Sequence, residues 1–414
     1  MFVSHRKKRY VAIAAVAATA LVISASGSMA SKSKGTIVIG VLAPFTGPSA
    51  QAGVSMMKGI NLAVKEVNAA GGVNGKMLKI VTGDTVSDPT DAVSAASKLI
   101  NVDHVQILIG PRTITGPAVL PKSEAAKVPE FIEGGSTVLD RNTDHYFFRV
   151  TPSDSQQGVA MAAYAVKMGY KSAALAFEQQ PAAQTLKQPI TDSFTKHGGK
   201  IVAVVDITPN QSSYRSEIQN LYASKPDVIF TQISAQTSSV FFPEVGQLEG
   251  WKTPFIGSNT FDSSDFFQAV GASIAQEPIY ATQSTATAGA AVTHYTNAYF
   301  KAYGTKQLAN LSPDCYDAVI LAALAMTKSG ATTGKAVADA VTEISNPPGF
   351  VVSTYASGVR ALKAGKKINY DGAAGNQDFD KYHNVFGPFA VLRFDATGTT
   401  QTVMTLPASL LLKG

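Results

Sequence analysis

The chain has 414 residues, of which 45% are hydrophobic and 15% charged; that length predicts two domains or more, and that balance excludes a chain too polar to bury a core. Its formal charge is +6, yet residues 1–30 contain Arg6, Lys7, Lys8 and Arg9 and no acid, so beyond them 31 basic residues face 29 acidic ones. So small an excess gives no footprint for nucleic acid, and a single cysteine, Cys315, excludes an internal disulfide and a cysteine-based metal site.

The chain opens with a basic stretch, "SHRKKRY", then the apolar run "VAIAAVAATALVISA" and small residues ending at Ser28-Met29-Ala30. These are the three parts of a secretory signal over residues 1–30, which predicts a mature chain from about Ser31. No cysteine ends the signal, so a soluble periplasmic protein without a lipid anchor is expected. From Thr36 onward β-branched runs alternate with helical spacing. "TIVIGVLAPF" reads as strand, "GVSMMKGINLAVKEVNAAGG" as helix with a glycine stop, and "KMLKIVTGD" as strand. The rhythm continues through "TDAVSAASKLINVD", "VQILIG", "GPAVLPKSEAAK", "VPEFIEGG" and "HYFFRVTPSD".

A second set follows: helix "SQQGVAMAAYAVKMGY", strand "SAALAFE", one helix "AQTLKQPITDSFTKHG", strand "KIVAVVDIT", helix "YRSEIQNLYASK", strand "DVIFTQIS", helix "SSVFFPEVGQLEG" and strand "TPFIGSNT". The segment from Thr293 to Gly330 is mostly helical and serves as outer covering for one lobe. Cys315 lies in its helical run "PDCYDAVILAALAM" and is read as a buried small hydrophobe. Alternating strands and helices predict an α/β fold with two doubly wound, Rossmann-like lobes on largely parallel sheets. Such sheets bind ligands beyond the carboxyl ends of their strands. The stretch "IGPRTITGPAV" lies at such an end, where Thr113, Thr115 and free N–H groups either cap the next helix or bond a ligand's acceptor.

Catalytic spacing is missing: there is no H-E-x-x-H, G-x-S-x-G, phosphate-binding P-loop or G-x-G-x-x-G after a strand, so no enzyme and no cofactor is expected. "GGVNGK" follows a helix and reads as a turn. The six histidines are scattered without metal spacing, and Asp84, Asp88 and Asp91 read as capping acids, so no metal is expected.

"IGVLAPFTGPSAQAG", "INLAVKEVNAAGGVNGKMLKIVTGD", "SDPTDAVSAASKLI", "FRVTPSDSQQG", "PDCYDAVILAALAM" and "INYDGAAGNQDFD" occur in an order and spacing that together are specific. On these the chain, from about Thr36 on, resembles the type I periplasmic binding proteins, in particular the branched-chain amino acid (leucine/isoleucine/valine) receptors of ABC transporters. The resemblance implies a ligand cleft between two lobes joined by a three-crossover hinge, with residues 36–151 plus 282–383 in lobe one and 152–281 plus 384–414 in lobe two. It also implies a monomer that captures a small-molecule ligand by closure and delivers it to the permease subunits of an ABC importer. A sensor on the same fold, signalling to a partner protein, is the alternative.

By the same resemblance, the serine usual in amino-acid binders falls at Ile114, with Thr113 and Thr115 beside it. Gly135, Ser136 and Thr137 stand where the family has a small-residue turn ending in threonine, and Thr137 is the expected anchor. A glutamate that grips the ammonium in several leucine-type members is replaced by Asn259, and an amide makes no charge-assisted bond there. Aromatic positions that cover aliphatic ligands fall near Ala52, Gln180 with Pro181, and Ser234. Asp262 and Asp265 read as helix-starting acids. A small organic acid, an amide or a related solute is therefore the expected ligand, in preference to an unmodified aliphatic amino acid.

Overall fold

The computed structural model describes residues 35–47, 49–306 and 308–411; the signal segment and the start at Ser31 lie outside these. The chain begins with β1 (Thr36–Ala43), α1 (Ala50–Ala69), β2 (Met77–Asp84), α2 (Pro89–Asn101), β3 (Ile107–Ile109), α3 (Gly116–Ala126), β4 (Glu130–Ile132) and β5 (Phe147–Arg149). These strands form one parallel sheet in the order β2-β1-β3-β4-β5. β3, β4 and β5 are buried throughout, as the apolar runs predict for strands covered on both faces. Asp88 starts α2 by accepting hydrogen bonds from the N–H groups of Thr90 and Asp91, and Asp84 accepts from the N–H groups of Phe45 and Val86. The acidic cluster thus serves loops and caps.

Next come α4 (Asp154–Lys167), β6 (Ser172–Glu178), α5 (Pro181–Gln184), α6 (Lys187–Lys196), β7 (Lys200–Ile207), α7 (Arg215–Tyr222), β8 (Val228–Gln232), α8 (Ala235–Leu248), β9 (Phe255–Gly257), α9 (Ser264–Ala275) and β10 (Ile279–Ser284). The single helix expected from Ala183 to Gly198 is two helices. The Thr185 hydroxyl at the break bonds the Asp154 carboxylate, and Leu186 turns inward and is buried. The chain then runs through α10 (Ala290–Tyr303), α11 (Ser312–Ser329), α12 (Gly334–Ser345), β11 (Phe350–Val352), α13 (Tyr355–Lys363) and β12 (Ile368–Tyr370), and ends with β13 (Phe389–Phe394), β14 (Thr400–Leu406) and α14 (Ala408–Leu411).

The second sheet has the order β14-β13-β10-β9-β8-β6-β7; β13 pairs antiparallel with both β10 and β14, and the other pairings are parallel. The two large sheets each have their own apolar core, one in each of two lobes, and the short parallel pair β11-β12 packs into the first of these cores. α11 is buried almost all round from Asp314 to Met326, with Cys315 fully enclosed, and packs with α1, α12 and the first sheet. Asp317 on α11 accepts from Tyr370 Oη and from the N–H groups of Ala373 and Ala374, fixing the loop after β12. A Cβ at Gly372 would stand 2.3 Å from that carboxylate, so this turn needs glycine.

The chain crosses between the sheets three times: after β5, after β10 and before β13. The crossings are tied together. Arg149 at the end of β5 donates from Nε to Asn384 Oδ1 at 2.8 Å, Gln156 donates to the Val385 carbonyl and Gln157 to the Thr282 carbonyl, while Thr285 N–H donates to the Pro388 carbonyl.

Candidate functional site

The carboxyl ends of β3 and β4 face those of β8 and β9 across the crossings, and a cavity of about 100 Å³ lies between them. Its first-sheet wall is Arg112 and Thr113 after β3 and Glu133, Gly134 and Gly135 after β4. Thr151, Pro152, Ser284 and Phe389 line it from the crossings. Gln232, Ser258, Asn259 and Thr260 line it from the second sheet, with Asp154 and Gln157 of α4 and Ala182 and Leu186 beside them. This is where a doubly wound sheet exposes loops and unpaired backbone groups, so the placement follows from topology.

Local chemistry explains the wall. Thr113 Oγ1 accepts from the Gly135 N–H at 3.2 Å, and Gly135 in turn accepts from the Asp154 N–H at 2.7 Å. A Cβ on Gly135 would lie 1.9 Å from Asp154 Oδ1, so only glycine lets the crossing approach this turn. Arg112 Nε stands 3.2 Å from Glu133 Oε2, with the Glu133 side chain only 4% exposed. Burial pushes the Glu133 carboxyl up to about 7 against the pull of Arg112. Burial also raises Asp154 to about 6, although the Thr185 hydroxyl, 2.7 Å from its Oδ2, and the Arg149 charge favour ionisation. Beneath them Asp314 is raised by burial and by the Glu133 charge. The cavity is thus polar and titratable, with Leu186 and Phe389 its larger apolar members.

Of the residues singled out in the sequence, Thr113, Gly135 and Asn259 reach this wall. Ile114 is half-buried outside it, and Thr115 is fully buried because its hydroxyl turns back to accept from the Arg112 N–H at 2.8 Å. Ser136 is buried with its carbonyl taken by Arg149 Nη1, and Thr137 opens a short 3-10 turn beyond the wall. Ala52 packs against the first core, Gln180 is exposed at the start of α5, and Ser234 caps α8 while bonding Glu178. None of these seven lines the cavity. Asp262 accepts from Thr400 Oγ1, and Asp265 is an exposed acid in the first turn of α9. Arg112, Glu133, Thr151, Asp154, Gln157, Gln232, Ser258, Thr260 and Ser284 were not singled out. Their common signal is position, directly past a strand end or at a crossing. Among the described residues no group of three or more histidines, cysteines or acids is placed to hold a metal ion.

A family profile described as periplasmic binding protein matches residues 36–399. An amino acid binding protein of Pseudomonas aeruginosa is 29% identical over 217 residues, 51% of this chain and 57% of that protein. The chain therefore matches less than two thirds of that relative's length. The chemotactic signal transduction system substrate-binding protein BasB of Halobacterium salinarum is 25% identical over 358 residues, 83% of each chain. Two solved structures share the fold. A leucine binding protein from Thermotoga maritima has a TM-score of 0.77 at 20% identity, covering 90% of this chain and 99% of its own. An ABC transporter solute binding protein from R. palustris in complex with benzoate has a TM-score of 0.74 at 18% identity, covering 90% and 97%.

Proposed function

Since the chain belongs to the periplasmic binding protein family across residues 36–399, we propose that it is an extracytoplasmic receptor that captures a small solute between its lobes and hands it to an ABC permease. Residues 36–151 with 282–383 form one moving body and 152–281 with 384–414 the other. The observation that carries this reading is the polar cavity between the two sheets, bordered by all three crossings. Rotation about these crossings opens the cavity to solvent, and closure removes water from the captured solute, strengthening each polar contact. The solute class is amino acid-like, amide or small organic acid. No covalent step is needed, so the protein acts by binding alone. It is exported by cleavage before about Ser31 and works as a monomer in the periplasm.

A thermal-shift screen of metabolites tests this. A solute at a hundredfold over its dissociation constant stabilises the folded state by about 2.7 kcal/mol, and one chemical class is expected to raise the melting temperature by several degrees. A library in which no class does so overturns the reading. The match to BasB over most of both chains favours a second output, signalling to a partner protein. Uptake of the identified solute by vesicles carrying the cognate permease separates the two: transport stimulated by the protein supports import, and its absence supports sensing.

A further inference from the structure

The wall of the cavity assigns its charges unevenly. Arg112 Nε and Glu133 Oε2 are buried and close, yet neither is in a hydrogen bond, because the two groups approach off the N–H direction. Glu133 is the only ion-pair partner of Arg112 among the described residues, and the Arg112 side chain, 31% exposed, lines the cavity. Of the hydroxyls expected to hold a ligand's acceptor, Thr113 accepts the Gly135 N–H and keeps its own hydrogen for a further acceptor, while Thr115, buried outside the cavity lining, accepts the Arg112 N–H. The second of these bonds fixes the Arg112 backbone. Asp154 lines the same cavity with a hydroxyl, Thr185, as side-chain partner and, among the described residues, no cation within ion-pair distance.

Each simple ligand class meets an obstacle here. An aliphatic or aromatic body would cover the guanidinium without replacing its lost water, and an unpaired buried charge is strongly unfavourable. The volume also disfavours it, since about 100 Å³ is well below the roughly 300–1,000 Å³ of sites for larger ligands. A plain anion gains one cation but meets Glu133 and Asp154. A plain cation gains those acids but meets Arg112. A solute that is neutral overall, with an oxygen acceptor at one end and N–H donors at the other, satisfies both sides.

We propose that Arg112, held in place by Glu133 and by Thr115, grips the carbonyl or carboxylate end of the ligand while Asp154 receives its N–H groups, so that the protein selects small neutral nitrogenous solutes: amides, ureas and short zwitterions. This rests on the receptor reading of the same cleft. Arg112 is the specificity-determining residue, because its fork of donors matches a two-oxygen or carbonyl acceptor in a way that a hydroxyl does not. Glu133 is a positioning residue. It orients the guanidinium only while ionised, so affinity falls as the pH drops through about 7.

Calorimetric titration of the full mature chain at pH 8 with acetamide, urea and glycine, against acetate, benzoate and L-leucine, tests the assignment. At least one of the first three is expected to bind roughly tenfold or more tightly than any of the last three. Tighter binding of acetate, benzoate or leucine overturns the ligand class while leaving the receptor reading intact, as does a metabolite screen whose stabilising class is of another kind. A screen with no stabilising solute overturns both. With the best of the three probes, Arg112→Gln is expected to weaken binding by about a hundredfold and Arg112→Lys by less, since the charge stays and the fork is lost. Unchanged binding in either variant overturns the role of Arg112, and Arg112→Lys decides should Arg112→Gln fail to fold. Asp154 and the deeper Asp314 are the other acids facing Glu133, and Asp154 itself is raised to about 6; Glu133→Gln is therefore expected to remove the fall near pH 7 and to leave the one near pH 6, and an unaltered pH profile overturns its positioning role.

Discussion

Glu130 begins β4 fully buried, and one of its oxygens, Oε1, has no hydrogen-bond partner. Ser123 Oγ contacts its other oxygen and also lies 3.0 Å from the Leu120 carbonyl. One hydroxyl hydrogen serves only one acceptor, so a neutral Glu130 completes the arrangement by donating to Ser123. Burial accordingly lifts its carboxyl from 4.5 to about 8. Below about 4.5 the group is protonated folded and unfolded, and has no effect on the balance. Between there and about 8 the unfolded chain releases the proton and the folded one keeps it, so this group's contribution falls by about 1.4 kcal/mol per pH unit. Melting of wild type and Glu130→Gln at pH 5 and pH 8 checks this: the variant is expected to gain on wild type at pH 8, and a gap independent of pH contradicts it. Thr115→Val removes the acceptor of the Arg112 N–H. It is expected to lower stability by about 1–3 kcal/mol in denaturant titration and to weaken ligand binding through Arg112. The hydroxyl was visible in the sequence as a cap or a ligand contact. Its turn back onto the N–H three residues earlier is a matter of backbone direction, which residue type alone does not reveal.

The elements that join the lobes depend on one buried cation. Arg149 is unexposed at the end of β5, and besides Asn384 it donates to the Ser136 carbonyl at 3.0 Å and to Asp140 Oδ1 at 2.7 Å. Asn384 Nδ2 returns to the Asp140 carbonyl, so the first and third crossings share one clasp. Arg149→Ala leaves Asp140 and Asn384 without their partner and is expected to cost about 3–5 kcal/mol, read by calorimetry as a lower melting temperature; a melting temperature unchanged from wild type would show that the clasp carries no stability. Arg149 stood in the motif "FRVTPSDSQQG", but its partner Asn384 lies far along the chain, and nothing periodic connects them. The same limit hid the site. Arg112 and Glu133 follow β3 and β4, and they meet because those strands are neighbours in the sheet. Strand order is settled by packing between lobes and helices, so hydroxyl positions could be marked from resemblance while the ion pair could not. Helix and strand alternation was legible as far as α8 and β9, apart from the break between α5 and α6, because strand and helix follow each other there at regular intervals even where a strand such as β3 or β9 has only three residues. Beyond, the long helical excursion from α10 to α13 holds only the short pair β11 and β12, and β13 pairs antiparallel with both its neighbours.

On the scale of the whole molecule, the receptor reading predicts a change of shape. Small-angle scattering is expected to give a smaller radius of gyration with saturating ligand than without, and an Arg112→Gln chain given the same ligand concentration is expected to keep the larger value. Equal radii in both states of the wild type would remove lobe closure from the mechanism. The second sheet has a further consequence. Its strands β6 to β10 are made first, but β13, which pairs with the open edge of β10, is made only after the long excursion through α10 to β12. During synthesis the β10 edge stays bare, and the second lobe lacks its last two strands until most of the first lobe's covering helices exist. Pairing between segments so distant in sequence is slow to form. The second lobe therefore closes its sheet only when the chain is nearly finished, so its completed form depends on the presence of the first lobe's last elements.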